Sequence, residues 1–283
     1  MTAAPLHAIG RRLPASLALL AVIAFTACSG KSDGSSTKAA GAASGGSGAD
    51  SLSAGPVVIA PPSGSYAAGA VSGAGSVTGT ITVAGALSIA APLPTGKDSS
   101  VCSTAIADSS AQQQGTGLGN AVVWLEGVRK GKAIPLEKRI ELESDHCILT
   151  PRVQAAFVGG AVNVIAHDDF RQHLRFVAGG ESKPRAAVLL GKDEQVIPSE
   201  LPLKTPGLVI VRDIDHTWPR AFIAVFDHPY FAVTKPDGRY TIDQVPPGTY
   251  TLVVWHERAG RSEQKVTVTN GATATVDVKL DAK

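Results

Sequence analysis

Apolar residues in this chain recur mostly at every second position, and Gly, Pro, Asn and Asp turns arrive at short intervals. That periodicity predicts an all-β chain, because side chains alternate across a strand and follow a 3.6-residue period on a helix. Val77-Thr78-Gly79-Thr80-Ile81-Thr82-Val83 alternates and opens the folded region near Ser76. Asn120 to Leu125 predicts a second strand, with Trp124 as a core or inter-domain anchor. The middle holds strands at Ala161 to Ala166, Ala187 to Leu190 and Leu208 to Val211. Arg239 to Ile242 alternates, and Thr249 to Trp255 is an aromatic and β-branched run of strand length. Between them the turns have a mechanism. In Lys235-Pro236-Asp237-Gly238 proline presets φ and glycine accepts a positive one, and Pro246-Pro247-Gly248 turns the chain again. Near the end, Asn270-Gly271 between Lys265–Thr269 and Thr273–Leu280 predicts a hairpin with a type I′ turn.

The first 75 residues do not share this pattern. Arg11 and Arg12 precede an apolar run from Leu13 to Ala24, long enough for a signal segment and too short to span a bilayer. Phe25-Thr26-Ala27-Cys28 resembles the bacterial lipobox, in which small residues precede a cysteine that is diacylated and becomes the new N-terminus. The resemblance implies a lipoprotein signal peptide at 1–27 and lipid on Cys28. Ser29 after it leans toward outer-membrane sorting in a Gram-negative envelope. Residues 28–75 are rich in Gly, Ser and Ala and poor in aromatics, so they cannot bury enough apolar surface to offset the entropy of ordering. They predict a disordered tether with an rms reach of roughly 35–40 Å, interrupted by the apolar patch Val57 to Ala60.

Composition narrows the function. The 283 residues suffice for one or two ordinary domains, and a formal net charge of +2 with no basic block argues against a nucleic-acid partner. No G-x-S-x-G elbow, H-E-x-x-H pair or Walker loop occurs, so the chain reads as no enzyme.

Two resemblances organise the folded part. The segments GSVTGTITVAG, NAVVWLEG, TKPDGRYTIDQVPPGTYTLVVWHE and QKVTVTNGATATVDVKL look like successive strands of a carboxypeptidase regulatory-like domain, a small prealbumin-like β-sandwich grouped with carbohydrate-binding-like folds. About a hundred residues separate the second of these from the third, which implies an insertion. The inserted HCILTPRV, VNVIAHDDFRQHL and IVRDIDHTWPRAFIAVFDHPYFAVT resemble a cupredoxin, as in exported bacterial proteins that couple such a barrel to the regulatory-like sandwich. The fold expected is therefore a sandwich from 76–133 and 227–283, with a cupredoxin-like barrel at 134–226.

Copper-type members carry one histidine near the start of that motif and then a loop reading roughly C-x-x-H-x-x-M. Here His173 and His216 fall on the histidine positions, Asp213 stands for the cysteine and Pro219 for the methionine. A blue-copper site needs soft sulfur. Met1, the one methionine, leaves with the signal peptide, Cys28 is spent on lipid, and Cys102 and Cys147 read as a disulfide joining the sandwich to the insert. The candidate metal ligands that survive are His173, His216, Asp213, Asp215 and His167. His146 reads as a surface or hydrogen-bonding residue, and His228 and His256 read as structural.

Two readings follow. The first is a non-catalytic, lipid-anchored envelope protein without a cofactor, binding an envelope protein or a glycan. The alternative is a protein that handles copper or zinc, or keeps a residual redox role, at the surviving histidines.

Overall fold

The structure is a computed structural model and describes residues 65–281. The expected signal segment, Cys28 and the Val57 to Ala60 patch lie outside the described residues. The chain is all-β apart from short turns of helix, of which α1, Ser99–Cys102, matters below.

Sixteen strands carry the fold: β1 Gly75–Ala84, β2 Val122–Glu126, β3 Ile140–Asp145, β4 Ile148–Thr150, β5 Val153–Phe157, β6 Val162–Ala166, β7 Gln172–Ala178, β8 Ala186–Leu190, β9 Gly207–Asp213, β10 Arg220–Phe226, β11 Phe231–Val233, β12 Arg239–Val245, β13 Gly248–His256, β14 Gly260–Val268, β15 Thr273–Thr275 and β16 Val278–Asp281. They form two lobes of two sheets each. In the first lobe one sheet runs β11-β2-β13-β14, antiparallel throughout. The facing sheet is built on β1, which pairs antiparallel with β12 and parallel with β15 and β16. In the second lobe one sheet runs β4-β3-β6 and ends on Gln195–Val196, and the other runs β5-β10-β9-β7-β8.

Strand periodicity separates three cores. From β2, Val123 and Leu125 point into the first lobe, while Val122 and Trp124 point away from it. From β13, Leu252 and Val254 point in, Val253 and Trp255 out. From β10, Ala221, Ile223 and Val225 fill the second lobe, while Phe222, Ala224 and Phe226 point out. The outward sets meet each other. Trp124 and Phe226 have ring centroids 5.9 Å apart, Phe222 and Trp255 5.6 Å, and Phe226 stacks on Phe231 at 4.4 Å. Strands buried on both faces have no polar side to show, which is why NAVVWLE, TLVVWH and RAFIAVF read as unbroken apolar runs.

Two sequence expectations are corrected. Asn270-Gly271 does turn, with Gly271 at φ 67° and its N–H on Gly73 O, but the strands on either side do not pair as a hairpin. β14 stays beside β13, and β15 and β16 cross to lie parallel to β1, because Val266 on β14 and Val278 on β16 fill the shared core from different sheets. The tether also ends before residue 75: Ala67–Ala68 pairs in parallel with Lys130–Gly131, and the Tyr66 hydroxyl donates to Lys132 O at 2.5 Å while its ring packs on the first core. One aromatic in a Gly/Ala stretch supplies the anchor. The Asp-Gly turn is as expected: Gly238 has φ 76°, its N–H reaches Lys235 O at 2.8 Å, and a Cβ there would lie 2.1 Å from Ile81 O.

Candidate functional site

The loop from Asp213 to Arg220 connects β9 to β10 and carries the two expected ligand positions at 213 and 216. Its shape is set by one carboxylate. Asp213 Oδ1 accepts from the backbone N–H groups of Asp215 at 2.8 Å and His216 at 2.9 Å, and lies 2.9 Å from His216 Nδ1. Asp213 Oδ2 accepts the His173 backbone N–H at 2.7 Å. With its side chain fully buried, Asp213 folds the loop over itself as an Asx turn and fixes His216 with a proton on Nδ1. The other ring nitrogen, Nε2, faces Asp98 Oδ2 at 3.2 Å, without the alignment of a hydrogen bond. Phe170 meets the imidazole edge-on at 4.9 Å and Trp218 lies at 5.0 Å.

The five candidate ligands are not assembled. Asp213 and His216 are in contact, His173 joins through its backbone, Asp215 points to solvent and gives Asp213 only its N–H, and His167 faces Glu143 at 3.6 Å. Among the described residues no three His, Cys, Asp or Glu side chains are arranged to hold a metal ion. The physical reason is the turn. A carboxylate that already accepts four hydrogen bonds must give some up to bind a cation, and Pro219, which the resemblance sets at the thioether position, has no donor. The residues present therefore do not fit a copper centre of the blue type.

Beside this loop the disulfide forms as expected, Cys102 to Cys147, with 5.5 Å between Cα atoms and 45 residues of separation. Trp218, Ile106 and Phe170 pack around it. Cys147 sits in the two-residue turn between β3 and β4, where both His146 and Cys147 have positive φ, 51° and 63°, with no glycine to ease them. Asp168 compensates. Its carboxylate accepts the Cys147 N–H at 3.0 Å and the Ser144 hydroxyl at 2.8 Å, and Ser144 Oγ accepts from Gln172 Nε2 at 2.6 Å. An Asp pair in a loop, such as Asp168 and Asp169, ordinarily caps its own turn. The capped turn is instead the distant one at Cys147, and Asp169 pairs at 3.5 Å with Lys192. A cleft of about 300 Å³ opens next to the bridge, lined by Cys102, Ile106, Asp108, His146 and Ile148 among others.

Two ion pairs form near here, the first of them between the lobes, and no local pattern announces them. Arg152 grips Glu257 with two hydrogen bonds, 2.6 and 2.8 Å, while its third nitrogen donates to Ser109. Arg258 donates to Asp108 at 2.9 Å. Burial by itself would raise the Asp108 carboxyl, but the Ser110 hydroxyl, backbone N–H groups of Ala90 and Ser110, and Arg258 hold it down at about 2. The histidines read as structural are so. His228 Nδ1 accepts the Tyr230 N–H, and burial lowers its pKa to about 4. His256 Nδ1 accepts from Arg258 and Ala259, and burial, then Arg258 and Arg152, lower it to about 4.

Comparison with known proteins adds two likenesses. The carboxypeptidase regulatory-like domain matches residues 209–281, from β9 through the last strand of the first lobe. A copper-containing nitrite reductase from Thermus scotoductus is similar over 33% of this chain at 18% identity and a TM-score of 0.27. This chain spans 23% of that enzyme's length, a likeness too partial to speak for its chemistry. No curated protein matches the sequence.

Proposed function

We propose that this chain is a non-catalytic, lipid-anchored protein of the cell envelope that works as a binding module. The observation that supports this is the full commitment of Asp213 to four hydrogen-bond donors. The carboxylate that would complete a metal site, or serve His216 as a catalytic partner toward substrate, instead closes its own turn. The lobes, fixed by a dry aromatic face, make a rigid platform for a partner. That partner is a protein rather than a glycan: the large exposed apolar side chains among the described residues, such as Ile89, Leu93 and Val101, are aliphatic, whereas a sugar ring needs an exposed aromatic face to stack on.

Calorimetric titration of Zn(II) and Cu(II) into wild type and a His173→Ala/His216→Ala double variant tests the reading. No tight binding is expected in either, and any Cu(II) complex should lack a strong thiolate band. One-to-one binding that the double variant abolishes would replace the proposal with the metal-handling alternative. The anchor is tested by mass spectrometry of the membrane fraction. Cys28→Ser should release the protein from membranes.

A further inference from the structure

The two sulfurs of the disulfide have different surroundings. Cys102, the last residue of α1, lines the 300 Å³ cleft. Cys147 does not line it. Both cysteines are buried, Cys102 at 3% exposure and Cys147 at 0%, so the difference lies in the cleft and in Asp168, whose Oδ1 is 3.8 Å from the Cys147 sulfur. A disulfide sulfur carries no proton, so this contact is not a hydrogen bond. Two electron-rich atoms are held together by the bonds that Asp168 makes to the Cys147 N–H and the Ser144 hydroxyl.

We propose that the Cys102–Cys147 bridge is a thiol-exchange site of fixed polarity, in which a cysteine-type thiol entering the cleft attacks Cys102, Cys147 is the leaving sulfur, and Asp168 retards that departure. In the first step the incoming thiolate forms a bond to Cys102 Sγ, the Cys102–Cys147 bond breaks, and its electron pair goes to Cys147 Sγ, which takes a proton from water. In the second step another thiolate attacks the reagent sulfur of the mixed disulfide and frees Cys102. The bridge gains two electrons, and two thiols become one disulfide. Negative charge grows on Cys147 during the first step, and the adjacent carboxylate opposes it. Because exchange slows as the leaving thiolate becomes harder to form, Asp168 acts as a guard on the bridge.

Opening has a structural consequence. The segment 96–102 is held to the second lobe by the bridge, by Asp98 facing His216 Nε2 at 3.2 Å, and by the packing of Trp218 against Cys102 and Ile106. At this contact Trp218 Nε1 and Asp98 Oδ2 are buried without a hydrogen-bond partner among the described residues. Without the covalent link the strap lifts, exposing Trp218 and freeing His216 Nε2.

The test uses the full folded chain with excess glutathione, an acid and alkylation quench, and peptide mapping, with the global unfolding rate measured in the same buffer. Glutathione is expected on Cys102 with Cys147 free, appearing faster than unfolding. Asp168→Asn should open about 3–10-fold faster, with Ser144→Ala close to wild type. Trypsin should cut at Lys97 only after opening. An adduct on Cys147, opening no faster than unfolding, or equal acceleration by Ser144→Ala would overturn the proposal. The mapping on wild type decides the polarity even if a variant fails to fold. A Lys97 bond that stays protected after opening would overturn the strap.

Discussion

The two lobes touch in two places built on different principles. The face between β2, β13 and β10 is apolar and aromatic, with Trp124, Trp255, Phe222 and Phe226 interleaved and Arg152–Glu257 at its margin. The corner around Cys102 and Cys147 is small and mixed: a disulfide, an imidazole between two carboxylates, and buried polar atoms without partners. The first contact relies on burial of apolar area, which does not depend on pH or redox state. The second is held by a covalent bond, which reduction can open, and by the polar contacts around His216. One joins the lobes unconditionally, and the other adds a contact that can be withdrawn.

The largest effect should come from the dry face. Trp124→Ala removes a fully buried ring from the contact and should destabilise the protein by about 3–5 kcal/mol in urea unfolding. If it lowers the stability of the first lobe alone, with the second unfolding as before, the two lobes are not one cooperative unit. Cys102→Ala/Cys147→Ala opens a loop of 45 residues and should lose roughly 3–4 kcal/mol by the chain-entropy estimate, with the dry face still intact by the near-ultraviolet signal of its tryptophans.

Acid provides the next test. His228 and His256 have folded pKa values lowered from 6.5 to about 4, so between those limits the unfolded chain binds a proton at each that the folded chain does not. Stability is therefore fully present above about pH 6.5 and falls as pH drops toward 4, by up to about 3 kcal/mol per histidine. His228→Asn should flatten that dependence by about half in pH-resolved denaturant midpoints. The smallest expected effect is that of Asp213→Asn. It weakens a set of charge-assisted bonds within one turn and should cost about 1–3 kcal/mol, without changing Trp124 burial. A variant as stable as wild type would mean that Asp213 does not hold the loop.

Much of the framework was legible because it is local. The alternation of Val77 to Val83, the unbroken runs around Trp124 and Trp255, and the Asp237-Gly238 turn each carry their structural reason within a few residues. The cysteine pair was legible by elimination once an exported chain was inferred. The site was legible only as a list of donors. His173 and His216 do approach one carboxylate, but sequence does not say that Asp213 would spend itself on backbone N–H groups. Arg152 and Glu257, Asp108 and Arg258, and Asp168 and Cys147 escaped because each charge looks like an ordinary solvated one until the fold brings its partner. The Asn270-Gly271 turn misled for a related reason: it fixes a change of direction and leaves the choice of sheet to the packing of Val266 and Val278.

The place of β2 sets the order in which the chain can fold as it is made. Its partners, Phe231–Val233 and Thr251–Trp255, follow roughly a hundred positions or more later, after the whole second lobe. Strands β3 to β10 find all their neighbours among themselves and can pair as soon as Phe226 has emerged. Until then Val122 to Leu125 is an apolar strand with both edges open, the kind of segment that associates with other chains. The nascent protein must therefore either be kept unfolded until its C-terminal strands arrive or shield β2 in the interval.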